Sequence, residues 1–415
     1  MKKYLLFVLL FLSVSLFLQA QTPRVLFIGN SYTHVNDLPT LIHNVARSVG
    51  DDMEFESNTP GGSTFSQHCQ NNSMSMICQG NWDFVVLQEQ SQYPSFPLSQ
   101  VQAEVFPYAE ALNDSIEKYN PCAETIFFMT WGRENGDPQW GPISTYQGMD
   151  DSLFVRYMYM AEVNDAVVAP VGRVWRYIRE NYPSIQLYSA DGSHPSFAGS
   201  YAAACTFYSV IFEKDPTLIT YIGSLDPQEA TIIRNVVKQI VYQDFSTWFV
   251  GTYNPIADFN YTIDENFNYH FQNSSLYCQD YFWDFGDGNS STEFNPIHFY
   301  ENSGTYTVTL IGEKCGLSDN KVLTIQAESS IQEHLQNNIL FYPNPVEDEL
   351  RIEFLDVSYR KIKGEVYNID GKLVYTFDWT TETKNINLSH LSTGIYSLIL
   401  KENNQSIYKQ KILKR

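Results

Sequence analysis

Up to about residue 245 the chain alternates short apolar runs with longer amphipathic ones. Residues 25–28, 84–87, 125–130 and 166–169 are compact and mostly apolar, and 53–57 alternates, and all five read as strands. Between and after them, residues 38–49, 101–119, 153–162, 172–181 and 197–212 carry helical spacing. Strand–helix alternation of this kind predicts a parallel sheet with helices on both faces and right-handed crossovers. The expected unit is a three-layer α/β domain over residues 21–250. Near Val250 the texture changes to Tyr, Phe, Asn and Thr in short alternations. Tyr306-Thr307-Val308-Thr309-Leu310 has period two, and Gly286-Asp287-Gly288-Asn289 is a turn signal, so residues 251–327 read as a small all-β sandwich. Residues 328–338 are polar and read as a linker, and 339–415 as a second small all-β sandwich.

The first twenty residues stand apart. Lys2 and Lys3 precede an apolar run over 4–18, and Gln19-Ala20 supplies a cleavage site before Gln21, so residues 1–20 are expected to be a signal peptide. A membrane anchor is the alternative, but the run is shorter than the roughly 20 residues of a comfortable span. No cysteine follows it, and no later stretch is apolar and long enough to cross a bilayer. The mature chain is therefore expected to be exported without stable membrane insertion. At 415 residues, with 43% hydrophobic and 18% charged positions, the chain is globular and too long for one core. Lys+Arg 26 against Asp+Glu 47 leaves −21, which argues against a nucleic-acid partner because a polyanion would be repelled.

Export makes disulfides possible for Cys69, Cys78, Cys122, Cys205, Cys278 and Cys315. The expected pairs are Cys278–Cys315 within one later segment, Cys69–Cys78 as a local loop closure, and Cys122–Cys205 as the remainder; free buried thiols are the alternative. No close Cys/His cluster suggests a metal, and nothing calls for a cofactor.

The candidate chemistry begins where the first strand ends. Val25-Leu26-Phe27-Ile28 runs into Gly29-Asn30-Ser31, placing a hydroxyl at the carboxyl end of a parallel strand, where open α/β sheets gather their sites. Far downstream, Asp191-Gly192-Ser193-His194 supplies an acid and a base three residues apart. Serine needs a base to take its proton, the base needs a carboxylate to hold it, and the attacked carbonyl needs aimed donors for its oxyanion. Ser31, His194 and Asp191 are the candidate nucleophile, base and orienting acid. Ser63, Ser91 and Ser193 lack the strand-end setting.

Four blocks in order carry a resemblance: Gly29-Asn30-Ser31, Gly61-Gly62-Ser63, Val85-Val86-Leu87-Gln88-Glu89-Gln90-Ser91-Gln92, and Asp191-Gly192-Ser193-His194. Over about residues 24–212 the chain resembles the SGNH (GDSL-type) hydrolase superfamily. The resemblance implies a flavodoxin-like parallel sheet, an acyl-serine mechanism, and an oxyanion hole built from the Ser31 and Gly62 backbone amides plus a third-block asparagine. That asparagine is missing. Gln92 falls in its register, and Gln88 or Gln90 on the same strand face could substitute with a longer carboxamide. After the fourth strand, Trp131 and Arg133 are candidate substrate contacts, the indole by stacking on a sugar and the guanidinium by gripping an anionic or hydroxylated group; loop packing is the alternative.

Tyr281-Phe282-Trp283-Asp284-Phe285-Gly286-Asp287-Gly288, His298-Phe299-Tyr300 and the strand around Tyr306 resemble a PKD domain, with Trp283 and Tyr306 expected in its core and Gly286 and Gly288 in turns. Phe341-Tyr342-Pro343-Asn344-Pro345, Leu350, Gly371-Lys372-Leu373-Val374, Leu391-Ser392-Thr393-Gly394-Ile395-Tyr396 and the basic end resemble a type IX secretion C-terminal sorting domain. That implies the type IX secretion machinery as a partner, outer-membrane translocation, and release or cell-surface attachment. The leading functional expectation is an exported serine ester hydrolase that removes acetyl groups from a polysaccharide or oligosaccharide. A lipase or arylesterase is the enzymatic alternative, and a glycan-binding surface adhesin without catalysis the alternative of another class.

Overall fold

A computed structural model describes residues 22–264, 267–327, 339–354, 362–379, 383–402 and 405–415. The signal peptide expected over 1–20 and the linker expected over 328–338 lie outside the described residues. Contacts divide the chain into two units, Met1–Tyr253 and Asn254–Arg415.

The first unit is built on five parallel strands: β1 Arg24–Ile28, β2 Glu54–Asn58, β3 Phe84–Leu87, β4 Glu124–Phe128 and β5 Val167–Ala169. Their spatial order is β2-β1-β3-β4-β5, the flavodoxin-like order. Val25 to Ile28 are fully buried, which explains the unbroken apolar run: a strand covered on both faces needs no polar alternation. Right-handed crossovers put the helix Leu38–Arg47, between β1 and β2, on one face, and the helices leading to β3, β4 and β5 on the other. The packing agrees. Phe197–Phe212 lies against Leu38–Arg47, Val171–Asn181 and Pro227–Val237, while Phe106–Tyr119 lies against Phe65–His68, Asn72–Ile77, Leu98–Glu104 and Tyr146–Val163. The chain leaves β1 for β2 on one side and returns to β3 on the other. The carboxyl end of β1 is thus the topological switch point, and Ser31 follows it by three residues.

Several elements depart from the sequence expectation for local reasons. The run over 101–119 is two helices, Leu98–Glu104 and Phe106–Tyr119, broken at Val105 (φ −121°, ψ −61°). Pro107, at the start of the second, has no amide hydrogen with which to continue the first. Tyr146–Val163 begins seven residues before the expected 153 because the Thr145 hydroxyl accepts from the Gly148 amide (3.2 Å) and caps the helix there. Pro227–Val237 was not expected, although Asp226, which accepts from the Gln228 amide (2.8 Å), and the proline after it are a helix-start signal. Among the described residues no helix is long and apolar enough to cross a membrane.

None of the three expected disulfides is formed. Cys69, Cys78, Cys205 and Cys278, at least one of which each expected pair requires, carry free thiols. Cys205 is sealed inside the Phe197–Phe212 helix, where burial pushes its thiol up to about 12. The Cys69 sulfur faces the Tyr108 carbonyl (3.8 Å), and that of Cys278 the Leu276 carbonyl (3.3 Å).

In the second unit, residues 254–327 form two antiparallel sheets. One holds Ile297–Phe299, Asn268–Asn273 and Phe259–Ile263; the other holds Leu317–Ala327, Gly304–Lys314, Asp280–Asp284 and Ser290–Ser291. Trp283 is fully buried among Phe259, Phe271 and Leu310, while Tyr306 is only partly covered and stacks on Tyr300 (4.3 Å). The described residues from 339 onward form two further antiparallel sheets around Leu350, Ile352, Val366 and Leu398.

Candidate active site

At the end of β1, Gly29 and Asn30 turn the chain and Ser31 opens the helical turn Ser31–His34. Asn30 caps that turn: its Oδ1 accepts from the Tyr32 amide (3.1 Å), while its Nδ2 donates to the Ser63 carbonyl (3.1 Å) of the second block. Its own amide donates to Gln88 Oε1 (2.9 Å), which also takes the Thr33 hydroxyl (3.0 Å). Gly29 is required by this crowding. A Cβ there would lie 2.7 Å from both Gln88 Oε1 and Thr33 Oγ1. Behind the turn, the buried His68 places Nε2 2.9 Å from the Gly29 carbonyl and Nδ1 2.8 Å from Ser73 Oγ. The carbonyl can only accept, so the hydrogen sits on Nε2, and burial holds the ring's pKa below its ordinary value.

Glu89 ties the three strand-end blocks together. It is fully buried, and its carboxyl accepts from the Phe65 amide (3.0 Å) and the Gln90 amide (2.5 Å). Burial pushes its pKa up to about 8. Its backbone carbonyl receives the Asn30 carboxamide (3.4 Å). The sequence analysis gave Glu89 no role; the available signal was an acid two residues past a wholly apolar strand.

The other half of the site is a short loop. Asp191 Oδ1 accepts from the backbone amides of Ser193 (3.0 Å) and His194 (2.9 Å), and Oδ2 lies 2.5 Å from His194 Nδ1. The bond to the imidazole, together with those amides, holds the Asp191 carboxyl down to about 2. His194 Nε2 lies 2.9 Å from Ser31 Oγ. With Nδ1–H facing the carboxylate, Nε2 is left as the acceptor for the serine hydroxyl. Ser31, His194 and Asp191, up to 163 residues apart, thus form one hydrogen-bonded chain.

An aromatic stack supports the loop from behind. Tyr32, to which the sequence reading gave no role, packs its edge on His194 (5.6 Å between ring centres), lies 2.7 Å from Ser193 Oγ through its hydroxyl, and stacks on Trp131 (4.6 Å). Trp131 stacks in turn on Trp175 (3.8 Å) and donates Nε1–H to the Ser193 carbonyl (3.0 Å). This corrects the expectation that Trp131 stacks on a sugar: both faces are covered by protein and the residue is fully buried. Arg133 keeps about a third of its side chain exposed, at 32%, and donates to the buried Asp137 (3.0 Å).

The three candidate carboxamides fare differently. Gln88 is fully buried, with its oxygen taken by Asn30 and Thr33 and its nitrogen donating to the Glu89 carbonyl. Gln92, the first choice from register, instead donates to Asp137. A register count could not see this, because Asp137 arrives from the loop after β4. In Gln90 the oxygen is held by the Gln92 amide (2.7 Å), while Nε2 makes only a 3.5 Å contact to Gln92 Oε1. Gly62 is exposed with φ +71°, and nothing described lies within 4 Å of where its Cβ would be. A glycine suits this left-handed backbone.

Comparison with known proteins names the second unit. Residues 254–327 match the PKD domain model, and residues 340–415 match the secretion system C-terminal sorting domain model. The chain carries a PKD domain and a sorting domain. In the PKD domain, Gly286 (φ +79°) and Gly288 (φ +92°) occupy turns, and Asp287 pairs with His298 (2.7 Å). Collagenase ColQ1 of Bacillus cereus (strain Q1) is 35% identical over 112 residues, which is 27% of this chain. The matches span only 11% and 10% of the lengths of two curated collagenases. Among solved structures, a DUF4886 family protein from Bacteroides uniformis ATCC 8492 is 18% identical over 54% of this chain and 95% of its own, with a TM-score of 0.47. Axe2, an acetylxylan esterase from Geobacillus stearothermophilus, is 17% identical over 45% and 92%, with a TM-score of 0.33.

Proposed function

We propose that the first unit is a serine ester hydrolase of SGNH type that removes acetyl groups from polysaccharide or oligosaccharide. The observation that carries this reading is the bonded chain Asp191–His194–Ser31, at 2.5 and 2.9 Å, at the switch point of a parallel sheet. Ser31 Oγ attacks the ester carbonyl while its proton passes to His194 Nε2, and the imidazolium is held by Asp191. The negative charge moves to the carbonyl oxygen, where the Ser31 backbone N–H, free as the first of its helical turn, and the Gly62 backbone N–H donate. Gln90 Nε2–H is the third donor, since its carboxamide oxygen is pinned and its nitrogen retains donor capacity. Collapse expels the sugar alkoxide, which takes the proton from His194. Water then attacks the acetyl-serine by the same route, giving acetate and free Ser31.

The sorting domain supports action outside the cell after passage through a secretion system, with the type IX machinery as the partner and release or surface attachment as the destination. Extended, acetylated glycans are the substrates such a protein would meet there.

The full chain should release 4-nitrophenol from its acetate and acetate from acetylated xylo-oligosaccharides. Ser31→Ala should lose about a thousandfold or more in kcat/KM with an unchanged circular-dichroism spectrum. Preference for long-chain acyl esters would make it a lipase. Absence of turnover on every acetyl ester, with glycan binding intact, would leave an adhesin and end the enzymatic reading.

A further inference from the structure

Resting on the esterase reading, the loop after β4 carries a second piece of chemistry. Arg133 stands between two residues that touch the His194 loop: Trp131 Nε1 donates to the Ser193 carbonyl (3.0 Å), and the Glu134 amide donates to the Gly192 carbonyl (2.8 Å). An arginine alone at such a rim would recruit carboxylates. This one is not alone. Its Nη1 lies 3.0 Å from Asp137 Oδ2, and the Asp137 side chain is only 4% exposed. That same oxygen also receives the Gln92 carboxamide, and Oδ1 accepts the Gln139 amide (3.0 Å). The Asp137 amide donates to the Ile143 carbonyl (2.6 Å), so backbone and carboxyl are both fixed. The Arg133 Nε is buried with no hydrogen-bond partner, leaving Asp137 as the anchor of the guanidinium.

We infer that Asp137 is a specificity-determining residue: by neutralising Arg133 from behind, it sets the rim of the site for uncharged, hydroxyl-rich acetyl esters and against glycans that carry carboxylates. The paired guanidinium keeps N–H donors for sugar hydroxyls but offers no net charge. An incoming uronate therefore meets the nearby carboxylate of Asp191 and loses its solvation without an ionic partner. The neutral members of the acetylated glycans, xylose or hexose polymers, are the class that fits.

The test compares acetate release by the full chain from acetylated xylo-oligosaccharides and from acetylated oligogalacturonides at low salt. Wild type should favour the neutral substrate. Asp137→Asn keeps the shape and unmasks Arg133, and should shift the kcat/KM ratio toward the uronate by about tenfold, mainly through KM, with the shift shrinking at high salt. Adding Arg133→Gln to Asp137→Asn should abolish that shift. Arg133→Gln alone leaves Asp137 uncompensated and should move the ratio the other way, so the inference stays testable if Asp137→Asn folds poorly. A ratio that stays within about twofold in Asp137→Asn, or a shift that survives removal of Arg133, overturns the inference while the esterase reading stands. Wild-type inactivity on both substrates overturns both.

Discussion

The two halves of the site are held by opposite means. The nucleophile half is buried and stitched by long-range bonds: Asn30 to Gln88, Asn30 to Ser63, Glu89 to Phe65, His68 to Gly29. The acid–base half is exposed, with 51% of the Asp191 and 36% of the His194 side chain accessible; Asp191 is bonded to Ser193 and His194 beside it, and the loop meets the rest of the unit through His194 to Ser31, Trp131 to Ser193 (3.0 Å) and the Glu134 amide to the Gly192 carbonyl (2.8 Å). The Tyr32–Trp131–Trp175 stack backs that loop from the core. The carboxyl groups record the difference. Glu89, desolvated, is pushed up to about 8; Asp191, in water and bonded to donors, is held down to about 2. In the proposed reaction the buried half would set the geometry of attack, and the exposed loop would let the proton carrier stay hydrated.

Asp191→Asn should break this comparison hardest on the activity side. The amide would favour the wrong imidazole tautomer, and kcat should fall by about a thousandfold or more while thermal stability at neutral pH barely moves. A comparable loss of melting temperature would mean the loop is structural. Any stability Asp191 lends is small at this exposure. It is present above the ordinary carboxylate range and disappears as pH falls toward about 2.

Trp131→Ala attacks a buried support of the loop. It should cost about 3–5 kcal/mol in urea unfolding. In the fraction still folded it should lower kcat, because Ser193 and Tyr32 lose their backing. Full stability in this variant would return Trp131 to the role of surface contact.

The smallest effect sharpens the buried half. Glu89 binds its proton more tightly folded than unfolded, so folding stability should decline as pH rises from the ordinary carboxylate range to about 8 and level off above. Glu89→Gln has no proton to lose and should flatten that slope. Urea melts at pH 5 and pH 8 read the difference, and identical slopes in both proteins would show that Glu89 does not set it.

What could be read in advance follows the same division. The five strands lie within a few residues of their expected positions, and the helix over 197–212 matches at both ends, because apolar periodicity and caps act over one element. Asp191 and His194 were legible as partners because they stand three residues apart on one turn. The carboxamides were not. Gln88, Gln90 and Gln92 share a composition and a register, and only the arrival of Asn30, Thr33 and Asp137 from other segments distinguishes them.

The amino-acid order alone therefore settled the layered α/β unit, the two β modules behind it, and the residue types of the proposed acyl-transfer site, since hydrophobic period, turn residues and short motifs are local properties. The folded chain decided which cysteines stay free, that Trp131 is buried, that Glu89 is a buried brace and that Arg133 is paired with Asp137. Each depends on which side chains meet across the sheet's edge, and that is fixed by packing many residues at once.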